Sequence, residues 1–223
     1  MNKTLEDSLG KLAMLLVFGY LAYKQTLSVA VIIARRADVP MWQLTVISMI
    51  VSTIFLFLIL YFTMTRLPLK NAASGVEPRI TAISGTFAMM LLVVLPAGMI
   101  SAELRLVSTV LIIVGTILSV YCIRQLGRSF SIMASARELV TAGPYKIIRH
   151  PLYGAELITI LGVVIGHWSP AAASLGSVWV ALQIRRAQNE ERVLRESFPE
   201  YGDYARRVPM LLPGFMLPGF GRA

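Results

Sequence analysis

The chain has 223 residues, of which 56% are hydrophobic and only 15% are charged, and its formal net charge is +9. Soluble domains average about 25% charged residues, so this composition excludes a disordered chain, an acidic protein and most soluble enzymes. A basic balance also raises nucleic acid as a partner, but the positive residues here stand between long apolar runs, so we expect none to bind. A single cysteine, Cys122, excludes an internal disulfide and a cysteine-rich metal site, and we expect no metal.

Four apolar stretches in the N-terminal half are long enough to cross a hydrocarbon core of about 30 Å. One of them, 12–34, is interrupted by Lys24 and Gln25. A lysine in the middle of a span is costly unless it snorkels to the interface or faces a polar cavity. The other three stretches contain no charged residue and are predicted spans: 41–65, 80–102 and 106–123.

A fifth apolar stretch, 157–184, is too long for one untilted span, because a single helix of that length would extend about 42 Å. The sequence GHWSP at 166–170 places a proline after a polar turn, which breaks a helix. We therefore expect a helical hairpin over 152–184. Gly162 and Gly166 have the GxxxG spacing that lets helix backbones approach closely.

Basic residues indicate the orientation, because cytoplasmic connections carry an excess of Lys and Arg. They concentrate in 66–79 and in 124–149, whereas the connection at 101–105 is short and neutral. Both basic segments are therefore predicted to be cytoplasmic, and the hairpin returns the C-terminal tail to the same side. Arg35 and Arg36 then fall on the outer side against the rule, which leaves a re-entrant first segment open.

The predicted fold is an all-α integral membrane protein of about five to six transmembrane helices, including the C-terminal hairpin, with a cytosol-facing cofactor pocket. Residues 1–123 would form the N-terminal transmembrane helices. Residues 124–223 would form a connecting loop, the hairpin, and a cytoplasmic helix with its tail. The expected location is the inner (cytoplasmic) membrane of a prokaryote, with bilayer lipid as a partner and the oligomeric state left open.

Two polar stretches, 124–153 and 185–213, flank the hairpin. A hairpin brings its two ends together on one membrane face, so these stretches should meet and form a pocket. Its arginines suit carboxylate or phosphate, its glutamates suit a cation, and its tyrosines can stack on a base, which together match a zwitterionic, nucleotide-like ligand. The same residues also give i,i+4 pairs typical of a solvated helix: Arg186/Glu190, Glu191/Arg195 and Arg192/Glu196.

Six short motifs follow one another in this part of the chain: LGRSF at 126–130, LVTAGPY at 139–145, RHPLY at 149–153, Glu190-Glu191-x-x-Leu194, Tyr201-x-x-Tyr204 and Arg207-Val208-Pro209. Together they resemble the isoprenylcysteine carboxyl methyltransferase family and its phospholipid methyltransferase relatives. The resemblance extends over about 121–213, whereas the N-terminal spans match only as apolar helices.

The resemblance implies an S-adenosylmethionine-dependent methyltransferase with a cytosol-facing pocket around a helical hairpin and a lipophilic acceptor that arrives from the bilayer. It implies that Glu190 or Glu191 holds the polar end of the cofactor, and that Arg149 and Arg207 hold the acceptor group. Arg149, Arg207 and Glu191 are therefore the candidate catalytic residues. The other implied cofactor-binding residues are Val140, Gly143, Tyr145, His150, Pro151 and Tyr153.

The chemistry of methyl transfer indicates which groups of the protein each kind of acceptor would need. A carboxylate or thiolate needs only positioning and desolvation, whereas an amine or hydroxyl needs a base, which His150 or a glutamate would supply. The arginines weakly favour an acidic acceptor such as an isoprenylcysteine-like carboxylate, and phospholipid amines, fatty acids, thiols and other small lipophiles stay open. Two alternative functions also stay open: a non-enzymatic transporter or assembly protein, and an NADPH-dependent reductase of the sterol-reductase type.

Overall fold

The computed structural model describes residues 3–94 and 99–211. Over these residues the chain forms seven α-helices: α1 (Lys3–Ala34), α2 (Trp42–Thr65), α3 (Glu77–Phe87), α4 (Ala102–Leu126), α5 (Pro151–Gly166), α6 (Pro170–Ser197) and α7 (Tyr201–Arg207). The predicted helical architecture is confirmed in outline, with one small addition. Two short strands, β1 (Asn71–Ala72) and β2 (Ser135–Ala136), pair antiparallel between the polar connections.

Three of the described helices are long and apolar enough to cross a membrane. These segments are Leu5–Ala34, Trp42–Thr65 and Ala102–Ser129. Bulky apolar side chains such as Leu16, Tyr20 and Phe57 are exposed on α1 and α2. An exposed apolar surface of this extent is typical of helices that face lipid.

The third predicted span is not one continuous α-helix. In place of a span over 80–102, α3 ends at Phe87, a 3-10 helix follows over Ala88–Val94, and 95–98 lie outside the described residues. At the opposite end of α3, in its first turn, Glu77 accepts hydrogen bonds from Arg185 at 2.7 Å and from Asn189 at 3.1 Å. These bonds fasten α3 to the polar part of α6.

Helix α1 runs without interruption past Lys24, from Lys3 to Ala34. Its N-terminal end lies beside the polar connections, because Asp7 pairs with Arg66 at 3.0 Å and with Arg137 at 2.7 Å. Arg35 and Arg36 therefore lie at the opposite end of α1. The Lys24 side chain is exposed.

The stretch predicted as a hairpin consists of α5 and α6, and the break between them lies at the GHWSP turn. The side chain of Ser169 accepts a hydrogen bond from the backbone N–H of Ala172 at 3.1 Å, and Pro170 follows as the first residue of α6. A serine cap followed by proline satisfies the first turn of a helix without needing the missing proline N–H. The second arm continues to Ser197, so the expected cytoplasmic helix is the continuation of α6.

Helix α5 packs against α4 through glycines. A Cβ atom at Gly162 would lie 2.7 Å from the Ser108 carbonyl oxygen, and one at Gly115 would lie 2.5 Å from the backbone nitrogen of Thr159. Such distances leave no room for a side chain, so the two helix backbones approach as closely as the GxxxG spacing indicates. This contact holds one wall of the cavity described below.

Candidate functional site

A cavity of about 430 Å³ lies between the helices, within the range of roughly 300–1,000 Å³ typical of small-molecule sites. One end is polar and is lined by residues that include Tyr145, His150, Tyr153, Glu190 and Tyr201. The other end is mostly apolar: Phe18, Phe55, Leu56, Ile59 and Met89 line it, together with the polar side chains of Gln25 on α1 and Ser52 on α2. The cavity therefore joins two chemically different chambers.

The two polar stretches that flank the hairpin do meet, as predicted. The backbone N–H of Arg149 donates to the Pro209 carbonyl at 2.9 Å, and that of His150 donates to the Met210 carbonyl at 3.1 Å. The Tyr204 hydroxyl donates to the Tyr145 carbonyl at 2.6 Å. The C-terminal segment thus forms a floor under the start of α5.

Arg149 and Glu191 form a buried ion pair beside this C-terminal segment. The Arg149 Nε donates to Glu191 Oε1 at 2.6 Å, and the two side chains are 4% and 1% exposed. The Arg149 Nη1 also donates to the carbonyls of Ala205 at 2.8 Å and Val208 at 2.6 Å. Both groups are therefore engaged within the protein, where they fasten α6 to the C-terminal segment.

Glu191 is ionised in this setting. Burial raises the pKa of a carboxyl group, but hydrogen bonds from His150 and Arg149 outweigh it and lower the pKa of Glu191 to about 2. His150 Nε2 lies 3.3 Å from Glu191 Oε1, and Arg195 on the next turn of α6 lies 3.2 Å from Oε2. The predicted i,i+4 pair of Glu191 with Arg195 is thereby confirmed.

Glu190, the neighbour of Glu191, lines the cavity. The Tyr153 hydroxyl donates to Glu190 Oε1, and His150 Nδ1 lies 3.8 Å from Oε2. The rings of His150 and Tyr153 stack with their centroids 5.5 Å apart and their planes 3° apart. Adjacent glutamates thus have different surroundings: one is held inside the scaffold and the other faces the cavity.

The structure brings most of the predicted site residues to the cavity wall. The residues that line it are Val140, Tyr145, Arg149, His150, Tyr153 and Glu190. Gly143, with φ +58°, begins a 3-10 turn, and Pro151 is the first residue of α5, so both shape the backbone beside the cavity. Glu191 lies behind the wall. Arg207 is exposed, and its Nε donates to the Asp203 carbonyl at 3.2 Å.

Four charged residues at the cavity wall do not belong to the predicted site: Arg137, Glu138, Glu156 and Arg186. Glu156 on α5 and Arg186 on α6 both line the cavity. The i,i+4 pair of Arg186 with Glu190, expected on a solvated helix, is not formed. Arg186 is 7% exposed and has no ion pair within 4 Å among the described residues. The signal available in the sequence was Glu156 itself, a carboxylate one turn after the RHPLY motif at the start of an apolar stretch.

Some polar atoms of the wall lack partners. The hydroxyl groups of Ser135 and Tyr201 are buried and have no hydrogen-bond partner within the described part of the chain, and both residues line the cavity. A buried hydroxyl without a partner is costly, so a ligand with polar groups fits this end.

Known proteins resemble this part of the chain. The family model for phospholipid methyltransferases matches residues 104–201, which include α5, α6 and the polar end of the cavity. Over 80 residues the chain is 40% identical to a cobalt-zinc-cadmium resistance protein of Cupriavidus metallidurans, a match covering 35% of this chain and 37% of that protein.

Two further relatives are named as methyltransferases. Over 110 residues the chain is 36% identical to protein-S-isoprenylcysteine O-methyltransferase B of Arabidopsis thaliana, covering 46% of this chain and 56% of that protein. Over 75 residues it is 40% identical to methanethiol S-methyltransferase 2 of Bradyrhizobium diazoefficiens, covering 31% and 26%. The matches thus span between about a quarter and somewhat over half of these relatives. They confirm the resemblance seen in the motifs.

Proposed function

We propose that this protein, whose residues 104–201 match the family model for phospholipid methyltransferases, is an integral membrane methyltransferase that uses S-adenosylmethionine and modifies a lipophilic acceptor. One observation carries the proposal. A single cavity joins a polar end, built largely from family motifs, to an apolar end built from the N-terminal helices. A polar methyl donor and a lipophilic acceptor need such adjoining chambers.

The residues at the polar end fit the donor. Glu190 offers a carboxylate for its amino group, the paired rings of His150 and Tyr153 offer a flat surface, and the unpartnered hydroxyls of Ser135 and Tyr201 offer hydrogen bonds. When bound, S-adenosylmethionine supplies an electrophilic methyl group on a sulfonium. Val140 and Tyr145 complete the wall, and Gly143 and Pro151 hold its backbone.

Arg149 and Glu191 act in this proposal as positioning residues. Their ion pair fixes the start of α5 relative to α6 and the C-terminal segment, and so fixes the distance between His150 and Glu190. Arg207 is left out of the acceptor site because its guanidinium is exposed and held along α7.

We place the polar end on the cytoplasmic side of a prokaryotic inner membrane. The basic connections lie at that end of the helices, and cytoplasmic loops carry an excess of Lys and Arg. The contacts of Asp7 with Arg66 and Arg137 put the N-terminus there too. The acceptor enters the apolar end from the bilayer, between helices whose outer faces are apolar.

Calorimetric titration of the purified protein with S-adenosylmethionine tests the proposal. We expect one site per chain. The Glu190→Gln variant should bind the donor about tenfold more weakly or worse, because a charge-assisted hydrogen bond is lost. Glu196→Gln, an exposed change on the same helix, is the matched control and should leave the affinity unchanged.

The outcomes separate the two parts of the proposal. Absence of donor binding to the wild-type protein would refute the methyltransferase function. Equal affinity of the wild type and Glu190→Gln would refute only the role of Glu190. Incubation of the protein in its native lipid extract with isotopically labelled donor, followed by mass spectrometry, then identifies the molecule that gains the methyl group.

A further inference from the structure

A polar cluster interrupts the cavity between its two ends. Glu156 follows Tyr153 by about one turn of α5, and Arg186 precedes Glu190 by about one turn of α6, so both lie deeper than the proposed donor site. One further turn along α5 the wall is formed by Thr159 and Ile160, and the lining residue of α6 that precedes Arg186 is Trp179. The cluster therefore occupies the boundary where donor and acceptor would meet.

Gln183 separates the two charges of this cluster. Its Nε2 donates to Glu156 Oε2 at 2.7 Å, and its Oε1 accepts from Arg186 Nη1 at 2.9 Å. The orientation of the amide is thus set by a carboxylate on one side and a guanidinium on the other. As a consequence Glu156 and Arg186 form no direct pair.

The arginine is held on several sides. Arg186 Nη2 donates to the Ile132 carbonyl at 3.1 Å, and its guanidinium lies over the Tyr153 ring, 5.0 Å from the centroid. Helix α3 closes against it, since a Cβ atom at Gly85 would lie 2.8 Å from Arg186 Cδ. Both terminal nitrogens of the guanidinium are therefore engaged, and its buried Nε is the one nitrogen of the group without a partner among the described residues.

The carboxylate, by contrast, is only half satisfied. Within the described residues Glu156 receives one hydrogen bond, on Oε2, and Oε1 has no donor. A carboxylate that lines a cavity between helices is unfavourable unless each oxygen is solvated or bonded. An acceptor that carries an N–H, S–H or O–H group supplies the missing donor, whereas an acceptor carboxylate would meet a like charge.

We infer that Glu156 is the catalytic base of the site, and that the acceptor is a lipophilic molecule with a protic group, namely a thiol, amine or hydroxyl, and not a carboxylate. The inference rests on the proposed function. In the step the acceptor atom forms a bond to the methyl carbon of the sulfonium donor, the carbon–sulfur bond breaks with its electron pair on sulfur, and the acceptor's proton moves to Glu156 Oε1.

Binding in lipid nanodiscs tests the inference without any turnover. Replacement of Trp42 and Trp168 by phenylalanine leaves Trp179, which lines the cavity, as the only tryptophan and a fluorescent reporter. The probes are 1-dodecanethiol, dodecylamine, 1-dodecanol, dodecanoate and dodecyl methyl sulfide, which share one chain. We expect at least one protic probe to bind about tenfold tighter than dodecyl methyl sulfide, and this preference to vanish in Glu156→Gln.

The rate of methyl transfer and its pH dependence give a second test, because they would not change in this way if Glu156 were only structural. With labelled donor, Glu156→Gln should transfer methyl to the preferred protic probe about 100-fold more slowly at pH 7. With the thiol probe its rate should recover as pH rises, because the thiolate needs no base. Glu156→Asp should retain part of the activity, and Glu103→Gln, an exposed change near the start of α4, should retain all of it.

The results also separate this inference from the proposed function. If the wild type binds S-adenosylmethionine but shows no protic preference, or keeps that preference in Glu156→Gln, the inference is overturned and the methyltransferase proposal stands. Preferential methylation of dodecanoate would overturn it as well. Unchanged donor affinity in Glu156→Gln shows that the variant is folded.

Discussion

The two ends of the cavity are held in different ways. At the polar end, charged side chains are bonded to groups far along the chain: Arg149 joins Glu191 and two carbonyls of the C-terminal segment. At the apolar end, side chains such as Phe18, Leu56 and Ile59 pack without directional bonds, on helices whose outer faces remain exposed. Directional bonds therefore fix the positions of the side chains at the polar end, whereas the apolar end is determined mainly by the volume that its side chains fill.

This difference determines which amino-acid substitutions each end of the cavity can tolerate. A buried ion pair loses several kcal/mol when one partner is removed, because the other charge stays buried and unpaired. A packed apolar chamber accepts changes of shape at smaller cost, provided that its volume is roughly kept. A site with these two ends would suit one methyl donor, bound at the polar end, and acceptors of varied chain length, bound at the apolar end.

The strongest test of the contrast removes a cation from the polar end. Arg149→Met should lower the free energy of unfolding by about 3–5 kcal/mol, since the carbonyls of Ala205 and Val208 lose the Arg149 donor and the buried Glu191 keeps only His150 and Arg195 as partners. Denaturant titration in mixed detergent micelles measures the change. Arg207→Met removes an exposed arginine of the same polar segment and should cost within about 0.5 kcal/mol. Similar losses in the two variants would contradict the buried-pair assignment.

A second, smaller effect should appear on acidification. The pKa of Glu191 is lowered from near 4.5 to about 2 in the folded chain, so its ionised form stabilises the fold above pH 4.5. That contribution, roughly 2–3 kcal/mol, is lost as pH falls from 4.5 towards 2, because the unfolded chain takes up the proton first. The wild type should thus lose stability more steeply over this window than Glu191→Gln. Parallel curves would show that Glu191 is not held ionised.

How far the sequence predicts this fold depends on how local the determinant is. The hairpin was predictable because Ser169 and Pro170 act within one helical turn. The end of α3 at Phe87 was not, since an apolar stretch looks the same whether its α-helix continues across a membrane or gives way to a 3-10 helix. Composition indicates whether a helix prefers lipid or water, but not the residue at which it ends.

The same limit applies to the site. The motifs predicted that 124–153 and 185–213 meet, and they do, but not which of their charges would face inward. Glu190 and Glu191 are adjacent in sequence but point to different faces of α6, and only Glu191 lies where Arg149, 42 residues away, can pair with it. Glu156 had no local partner in the sequence, because its contact is Gln183 on the other arm of the hairpin.

The smallest expected effect probes the apolar end. Leu56 on α2 lines the cavity, whereas the next residue, Phe57, is 54% exposed on the outer face. Leu56→Trp should therefore shorten the apolar chamber and weaken binding of a twelve-carbon probe several-fold, about 1 kcal/mol. Phe57→Trp adds the same ring outside the chamber and should change nothing. Donor affinity should be the same in both variants, because the polar end is built from other helices, and a loss of donor binding in Leu56→Trp would show that the two ends are not independent.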